Sequence, residues 1–425
     1  MRAWGILLAI ATLAAAASLP AASARPLVPE WEGTRSVTVL TNLFGPIDFA
    51  LAPDGSVWWN EYYSGNVTRW DPRTDERTVV FHAPPIPNGV ERGMLGLALD
   101  PDVLANGVFY VYYTVADPQN PDGGTNRLSR IAGSQETVLL TLSADKLHNG
   151  GRIAFAPDGS LVVTTGENNK PNEAQNPESF LGKVLRLWPD GRPHEDNLEG
   201  HVFSMGHRNL YGLAIDPDGR IFVTENSNAE RDEVNLVVAG GNYGWPHCEG
   251  TVRFDVRRYE PLSEPCDDPR FVGPIGEFYP TGTAAPTGAG WLRGALHWAS
   301  WNEGAIHRMT EGPAGAWTDE VVWRVGGRIN DLEAGLDEDT IWYSNWTSIV
   351  RLELPPRPDP DPDEEPPGDD GNGGNHLGGT QPPNRTAGPG VLAVVLALLL
   401  AGAVRLRAVD ARDVLVPKQR PPPRR

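Results

Sequence analysis

The chain has 425 residues and a formal net charge of −19, from 55 Asp and Glu against 36 Lys and Arg. That balance leaves no basic footprint for a phosphate backbone and excludes nucleic acid as a partner. Sustained helical periodicity is absent from the body of the chain.

In chain order, the first segment reads as a targeting signal. Arg2 precedes an apolar run from Ile6 to Ala17, and Ala22-Ser23-Ala24 supplies a small-x-small cleavage site. The run is short for a spanning helix, so residues 1–24 are expected to be a secretory signal peptide cut after Ala24.

Residues 26–354 then carry a loose repeat. Alternating apolar residues lead into Pro-Asp or Pro-Asp-Gly and a second β-rich run within 49–58, 97–113, 153–163 and 213–223. Each predicts a strand, a tight turn and a strand. The turn prolines fall at 53, 101, 157 and 217, spaced by 48, 56 and 60 positions. A degraded copy at 333–342 has Asp337 in the proline's place, and the 120 positions after Pro217 leave room for one more unit, assigned to 295–309. Six such units predict an all-β fold, a six-bladed β-propeller with loops converging at one end of a central tunnel. A double sandwich with similar turns is the alternative.

Cys248 and Cys266 are the two cysteines. In an exported chain an isolated pair is most simply one disulfide, contributing roughly 3 kcal/mol for a loop of that size.

The end of the chain divides in three. Residues 355–386 are rich in Pro, Gly and Asp, with seven carboxylates between Asp359 and Asp370, and predict an extended, solvated linker. An apolar stretch over 387–406 is long enough for a transmembrane helix. The tail at 407–425 is basic, which places it inside and the repeats outside. The expected localisation is exported, on the outer face, anchored in the cell membrane by this C-terminal helix. Asn66, Asn345 and Asn384 are glycosylation sequons.

Candidate chemistry clusters on the third and fourth repeats. His148-Asn-Gly-Gly-Arg152 places an imidazole on a glycine-loosened loop before a hairpin, and Gly166-Glu167 closes the strand after the third turn. Gly206-His-Arg-Asn-Leu-Tyr-Gly212 opens the fourth repeat; Thr224-Glu-Asn-Ser-Asn228 runs on to Asp232-Glu233 and a glycine-aromatic turn ending at Pro246. Taken singly, each has an ordinary explanation: a solvated histidine, a structural arginine, an exposed acidic edge.

Together, and with Glu91-Arg-Gly-Met-Leu-Gly and Gly182-Lys-Val-Leu-Arg-Leu, these segments resemble the glucose/sorbosone dehydrogenase family, which includes the aldose sugar dehydrogenases. The resemblance runs from about residue 40 to 353. It implies a six-bladed propeller that oxidises a sugar hydroxyl or lactol by hydride transfer to pyrroloquinoline quinone (PQQ) held with Ca²⁺. It implies that His148 is the general base and Glu167 its carboxylate partner, roles that suit an imidazole titrating near neutrality. Glu91, Arg208, Asn209, Thr283, Asn302 and Arg328 match cofactor contacts. Ser227 and Asn228 match the Ca²⁺ site, and Asp232 and Glu233 fall where they could bind a second, structural Ca²⁺. Partners would be a small sugar and an external electron acceptor.

Asn302, Asn330 and Tyr211 depart from the family pattern, where a lysine, an arginine and a polar amide stand. These departures motivate a second reading, a non-catalytic propeller binding protein or glycan like the hedgehog-interacting relatives. A third, a lyase of the streptogramin-inactivating type, is suggested by residues 45–59, but its repeats lack the His148 and Arg208 loops.

Overall fold

The computed structural model describes residues 31–357 apart from 88, 121–122, 229–230 and 280–283. The expected signal peptide, almost all of the linker, the apolar stretch, the basic tail, Asn384 and Thr283 lie outside the described residues. Among the described residues no helix is long and apolar enough to cross a membrane.

Six four-stranded antiparallel sheets account for most of the described chain, with one three-stranded sheet inserted. The first strands of the six sheets are Pro46–Leu51, Met94–Leu99, Gly150–Phe155, Leu210–Ile215, Pro286–Leu292 and Asp331–Ala334. Each contacts the next, and the sixth contacts the first, so they form a closed ring. The ring is sealed by a pairing that the repeat did not foretell: Arg35–Leu40 lies antiparallel to Ile349–Glu353 and completes the sixth sheet. Closing a sheet array in this way joins the two ends of the domain through backbone hydrogen bonds.

The predicted turns join the first and second strands of their sheets. At Asp54 and Asp158 the carboxylate accepts N–H from Ser56 and Ser160, at 3.0 and 2.9 Å. Each also pairs with an arginine on the third strand, Arg69 at 2.9 Å and Arg186 at 2.6 Å. The fifth sheet turns instead at Arg293 and Gly294, both with positive φ. No proline marks that turn, which is why this unit could be placed only by counting. The cysteines are bonded, Cys248 to Cys266, on a three-stranded excursion (Cys248–Glu249, Val252–Asp255, Glu260–Pro265) between the third and fourth strands of the fourth sheet.

Near the axis the inner strands crowd one another. A Cβ at Gly96 would lie 1.9 Å from the Gly151 carbonyl oxygen, and one at Gly212 would lie 2.1 Å from that of Thr287. Only glycine fits at either point, which explains the Gly-Leu-Ala shared by these two strands.

The axis holds charge as well as apolar side chains. Arg152 is buried, 3.2 Å from Asp48 and 3.5 Å from Asp331. It donates to the carbonyls of Tyr211 at 2.8 Å and Asn330 at 3.2 Å. Asp48 accepts N–H from Leu97 at 2.8 Å, and Asp331 from Phe49 at 3.3 Å. Five of the six inner strands or their approaches thus meet around one guanidinium. Burial pushes the Asp331 carboxyl well above its usual range; Arg152 pulls it down and Asp48 adds to the rise.

Arg152→Ala would leave two buried carboxylates without the cation they share, with an expected loss of about 3–5 kcal/mol in unfolding free energy by urea titration. Folded Asp331 holds its proton more tightly than the unfolded chain, so its contribution is complete below a pH of about 4 and fades as pH rises. The loss of stability with rising pH should extend to higher pH in the variant than in the wild type, because the group that lowers Asp331 is gone.

Candidate functional site

At the end of the ring where the inner strands begin, a cavity of about 520 Å³ is lined by Glu91, His148, Arg208, Asn209 and Ser227. Four separate stretches of sequence therefore converge on one cleft. Its walls are completed by Tyr62, Tyr63, Tyr211, Trp301 and Trp346.

His148 reaches the cavity through an unusual backbone. Its φ is +58°, followed by +60° at Gly150 and +116° at Gly151. A Cβ at Gly150 would lie 2.6 Å from the backbone of Thr165, so the loop presses directly onto the next strand. The Glu91 carboxylate accepts the His148 N–H at 2.6 Å and an Asn209 amide hydrogen at 3.3 Å. Glu91 therefore lines the cavity and also positions its neighbours.

The His148 Nδ1 contacts Glu167 Oε1, and Glu167 is fully buried. The backbone holds this pair from both sides: the Asn168 N–H donates to the His148 carbonyl at 3.1 Å, and the Glu167 N–H to that of Arg208 at 2.8 Å. A carboxylate at Nδ1 fixes the tautomer with its proton there and leaves Nε2 as the acceptor. Glu167 Oε2 is buried without a hydrogen-bond partner, so the acceptor oxygens beside the imidazole are not saturated.

Arg208 is the cationic side chain among the described lining residues. Its Nη1 donates to the carbonyls of Asn226 at 2.8 Å and Ser227 at 2.7 Å. Trp245 lies under the guanidinium, 5.5 Å from centroid to Cζ. Arg208 Nε and Asn209 Oδ1 are buried with no hydrogen-bond partner. Such orphaned groups at a cavity wall are what a polar ligand would satisfy.

Behind Arg208 lies a buried polar layer. Glu225 accepts the Arg208 N–H at 2.5 Å and meets His207 Nδ1 at 3.0 Å. Burial raises Glu225 to about 8 and lowers His207 to about 3, so the imidazole is neutral at pH 7. Tyr243 stacks on His207 at 4.5 Å.

The remaining expected residues are distributed differently. The carbonyls that converge are those of Asn226 and Ser227; Asn228 instead donates its N–H to Glu249 at 2.5 Å. Asp232 accepts from the N–H groups of Ser227 at 3.0 Å and Ala285 at 2.8 Å. Glu233 accepts from Gly250 at 2.5 Å and Asn235 at 3.0 Å. As consecutive residues of one strand they face opposite sides, so the two carboxylates do not converge on one ion. Asn302 is exposed and Arg328 lies 5.0 Å from the Trp301 ring; neither lines the cavity, though Trp301 between them does. Asn330 is fully buried and donates to the Pro46 carbonyl at 2.9 Å. Its departure from the family pattern belongs to the axis. Tyr211 does line the cavity, and burial raises its hydroxyl to about 12.

The aromatic wall escaped the sequence reading, because Tyr62, Tyr63 and Trp346 occupy loops of the first and sixth sheets, far apart in sequence. The one available signal was the doubled tyrosine just after a strand.

A profile described as Glucose / Sorbosone dehydrogenase matches residues 43–346. Quinoprotein glucose dehydrogenase B of Acinetobacter calcoaceticus is 30% identical over 278 residues, covering 57% of this chain and 58% of that protein. The chain thus spans under three-fifths of that relative's length. The PQQ-bound aldose sugar dehydrogenase of Streptomyces coelicolor superimposes with a TM-score of 0.66 at 28% identity, over 76% of this chain and 98% of that one. Hedgehog-interacting protein of Homo sapiens is 30% identical over 163 residues, but these are 31% of this chain and 23% of that protein.

Replacing Glu225 by Ala would strand the Arg208 N–H and a His207 nitrogen in the interior. The expected loss is about 2–3 kcal/mol in a denaturant titration. Glu225→Gln should recover most of it, since an amide oxygen still accepts the Arg208 N–H.

Proposed function

The chain belongs to the glucose/sorbosone dehydrogenase family, and on that premise we propose that it is a PQQ- and Ca²⁺-dependent sugar dehydrogenase on a six-bladed propeller. The observation that carries the reading is the convergence of His148, Arg208, Asn209 and the Ser227 segment on one cavity. The six four-stranded sheets and their closed ring of inner strands support the blade count.

The residues present suit a flat polyanionic cofactor. Arg208 offers an unpartnered Nε, Asn209 an unpartnered oxygen, and Trp301 and Trp346 offer flat faces in the same cavity. The carbonyls of Asn226 and Ser227 are hard oxygen donors already held toward a cation, the Arg208 guanidinium. When bound, PQQ supplies the hydride acceptor.

The protein's own share is proton management and positioning. His148 Nε2 accepts the proton of the sugar hydroxyl as the C–H bond breaks. Glu167 keeps Nδ1 protonated and stabilises the imidazolium that results. Glu91 fixes the loop that carries the base, and Glu225 fixes the backbone that carries Arg208. Trp301, Trp346, Tyr62 and Tyr63 keep the cleft partly dry, which strengthens each of these interactions.

In the same reading the chain is exported by residues 1–24, and the helix at 387–406 tethers it at the outer membrane face. Electrons pass to an external acceptor.

Reconstitution of residues 26–354 with PQQ and Ca²⁺ should give sugar-dependent dye reduction, lost on chelation and restored by Ca²⁺. His148→Ala should lower kcat by about 10²–10⁴-fold with quinone affinity unchanged. Arg208→Ala should weaken quinone binding about 10- to 100-fold, the loss of a charged hydrogen bond. Absence of quinone binding at micromolar concentration would return the chain to the binding-module reading.

A further inference from the structure

Arg208 is gripped by two carbonyls, and each belongs to a peptide unit whose opposite edge is also held. The Asn226 oxygen and the Ser227 N–H share one unit; the Ser227 oxygen and the Asn228 N–H share the next. Both units are trans, the cis bond among the described residues being Trp245–Pro246. In a trans peptide the C=O and the N–H point in opposite directions from one rigid plane. The two oxygens meet Arg208 Nη1 at 2.8 and 2.7 Å. On the far edge the Ser227 N–H donates to Asp232 Oδ1 at 3.0 Å, and the Asn228 N–H to Glu249 Oε1 at 2.5 Å. Each of the two carbonyls is therefore aimed by a carboxylate across its own peptide.

Asp232 and Glu249 are 1% and 2% exposed. A buried carboxylate bonded to the N–H polarises the peptide and adds negative charge to its oxygen. Asp232 belongs to a strand of the fourth sheet, but Glu249 comes from the three-stranded excursion. Its strand there, Cys248–Glu249, is two residues long and pairs with Val252 and Arg253. So short a strand has little stability of its own. Cys248 ties it down: buried beside Glu249, it is bonded to Cys266, whose N–H donates to the Thr251 carbonyl at 2.8 Å. The excursion reaches the site at two further points. The Tyr259 carbonyl accepts the Asn228 side-chain amide at 3.2 Å, and Phe254 packs at 4.7 Å on Trp245, the ring under Arg208.

Resting on the Ca²⁺-dependent reading, we propose that Asp232 and Glu249 are positioning residues of the cation site. They aim and polarise the Asn226 and Ser227 carbonyls, so a divalent cation meets neutral oxygen ligands with two carboxylates one peptide behind them. The Cys248–Cys266 bond keeps Glu249 in place. Affinity for the cation is thus set in part by an insertion outside the six sheets.

The test is a Ca²⁺ titration of the full chain with PQQ present, read by calorimetry and by the absorbance of the quinone. Glu249→Ala should weaken Ca²⁺ binding about tenfold, the loss of one charged hydrogen bond. Glu249→Gln, whose amide oxygen still accepts the Asn228 N–H, should stay within about threefold of the wild type. Glu260→Ala, on an exposed strand of the same excursion, should leave the affinity unchanged. Replacing both cysteines by serine should weaken Ca²⁺ binding; no change there would overturn the part given to the disulfide. Without quinone, amide exchange across residues 224–228 should quicken in Glu249→Ala and return to the wild-type rate in Glu249→Gln. Wild-type Ca²⁺ affinity in Glu249→Ala, a loss that Glu249→Gln does not recover, or an equal loss in Glu260→Ala would overturn the assignment. If the wild-type protein binds neither Ca²⁺ nor quinone, the dehydrogenase reading fails by itself. Exchange that quickens in Glu249→Ala and recovers in Glu249→Gln then still supports the positioning of these carbonyls, and unchanged exchange overturns it.

Discussion

At the centre of the ring the Arg152 guanidinium lies between Asp48 and Asp331 and against the carbonyls of Tyr211 and Asn330. The inner strands of the ring converge on the axis, where backbone approaches backbone closely at Gly96 and Gly212. Apolar residues there would have to be small, and glycine already stands at the tightest points. A single planar cation with several donors solves the problem differently, because it joins strands from different sheets without a thick layer of side chains. Its partners are buried, so the network is strong when complete and unforgiving when broken.

The same short segment serves both the axis and the cavity. His148 and Arg152 are four residues apart: the first lines the cavity, and the second pins the strand that follows. Fixing Arg152 therefore fixes where the His148 loop leaves the ring. Arg208 is held comparably, through its backbone N–H to Glu225 and its carbonyl to Glu167. The His148 imidazole and the Arg208 guanidinium are thus coupled through the backbone of adjacent sheets rather than through direct contact.

On the side of Arg152 away from His148, Asp48, Asp331 and Glu333 lie close together beside a smaller cavity. Arg152 occupies their midst and accounts for the acidic cluster as part of the structural network. What distinguishes the two ends is therefore the loops. Loops before the inner strands bring an imidazole and a guanidinium, and loops between second and third strands bring aromatic rings; those after the inner strands are short turns.

Much of the fold was legible in the residues themselves, because a Pro-Asp-Gly turn between alternating apolar runs is a local signal repeated at a readable interval. His148, Glu167, Arg208 and Asn209 were legible for a related reason: each sits at a defined place in such a repeat and matches a family motif. Tertiary structure alone decided that Arg35–Leu40 completes the last sheet, that Asn330 belongs to the axis, and that Tyr63 joins Trp346. These depend on contacts between residues tens to hundreds of positions apart. Local sequence determines where a strand turns; only closure of the ring determines which side chains then share a space.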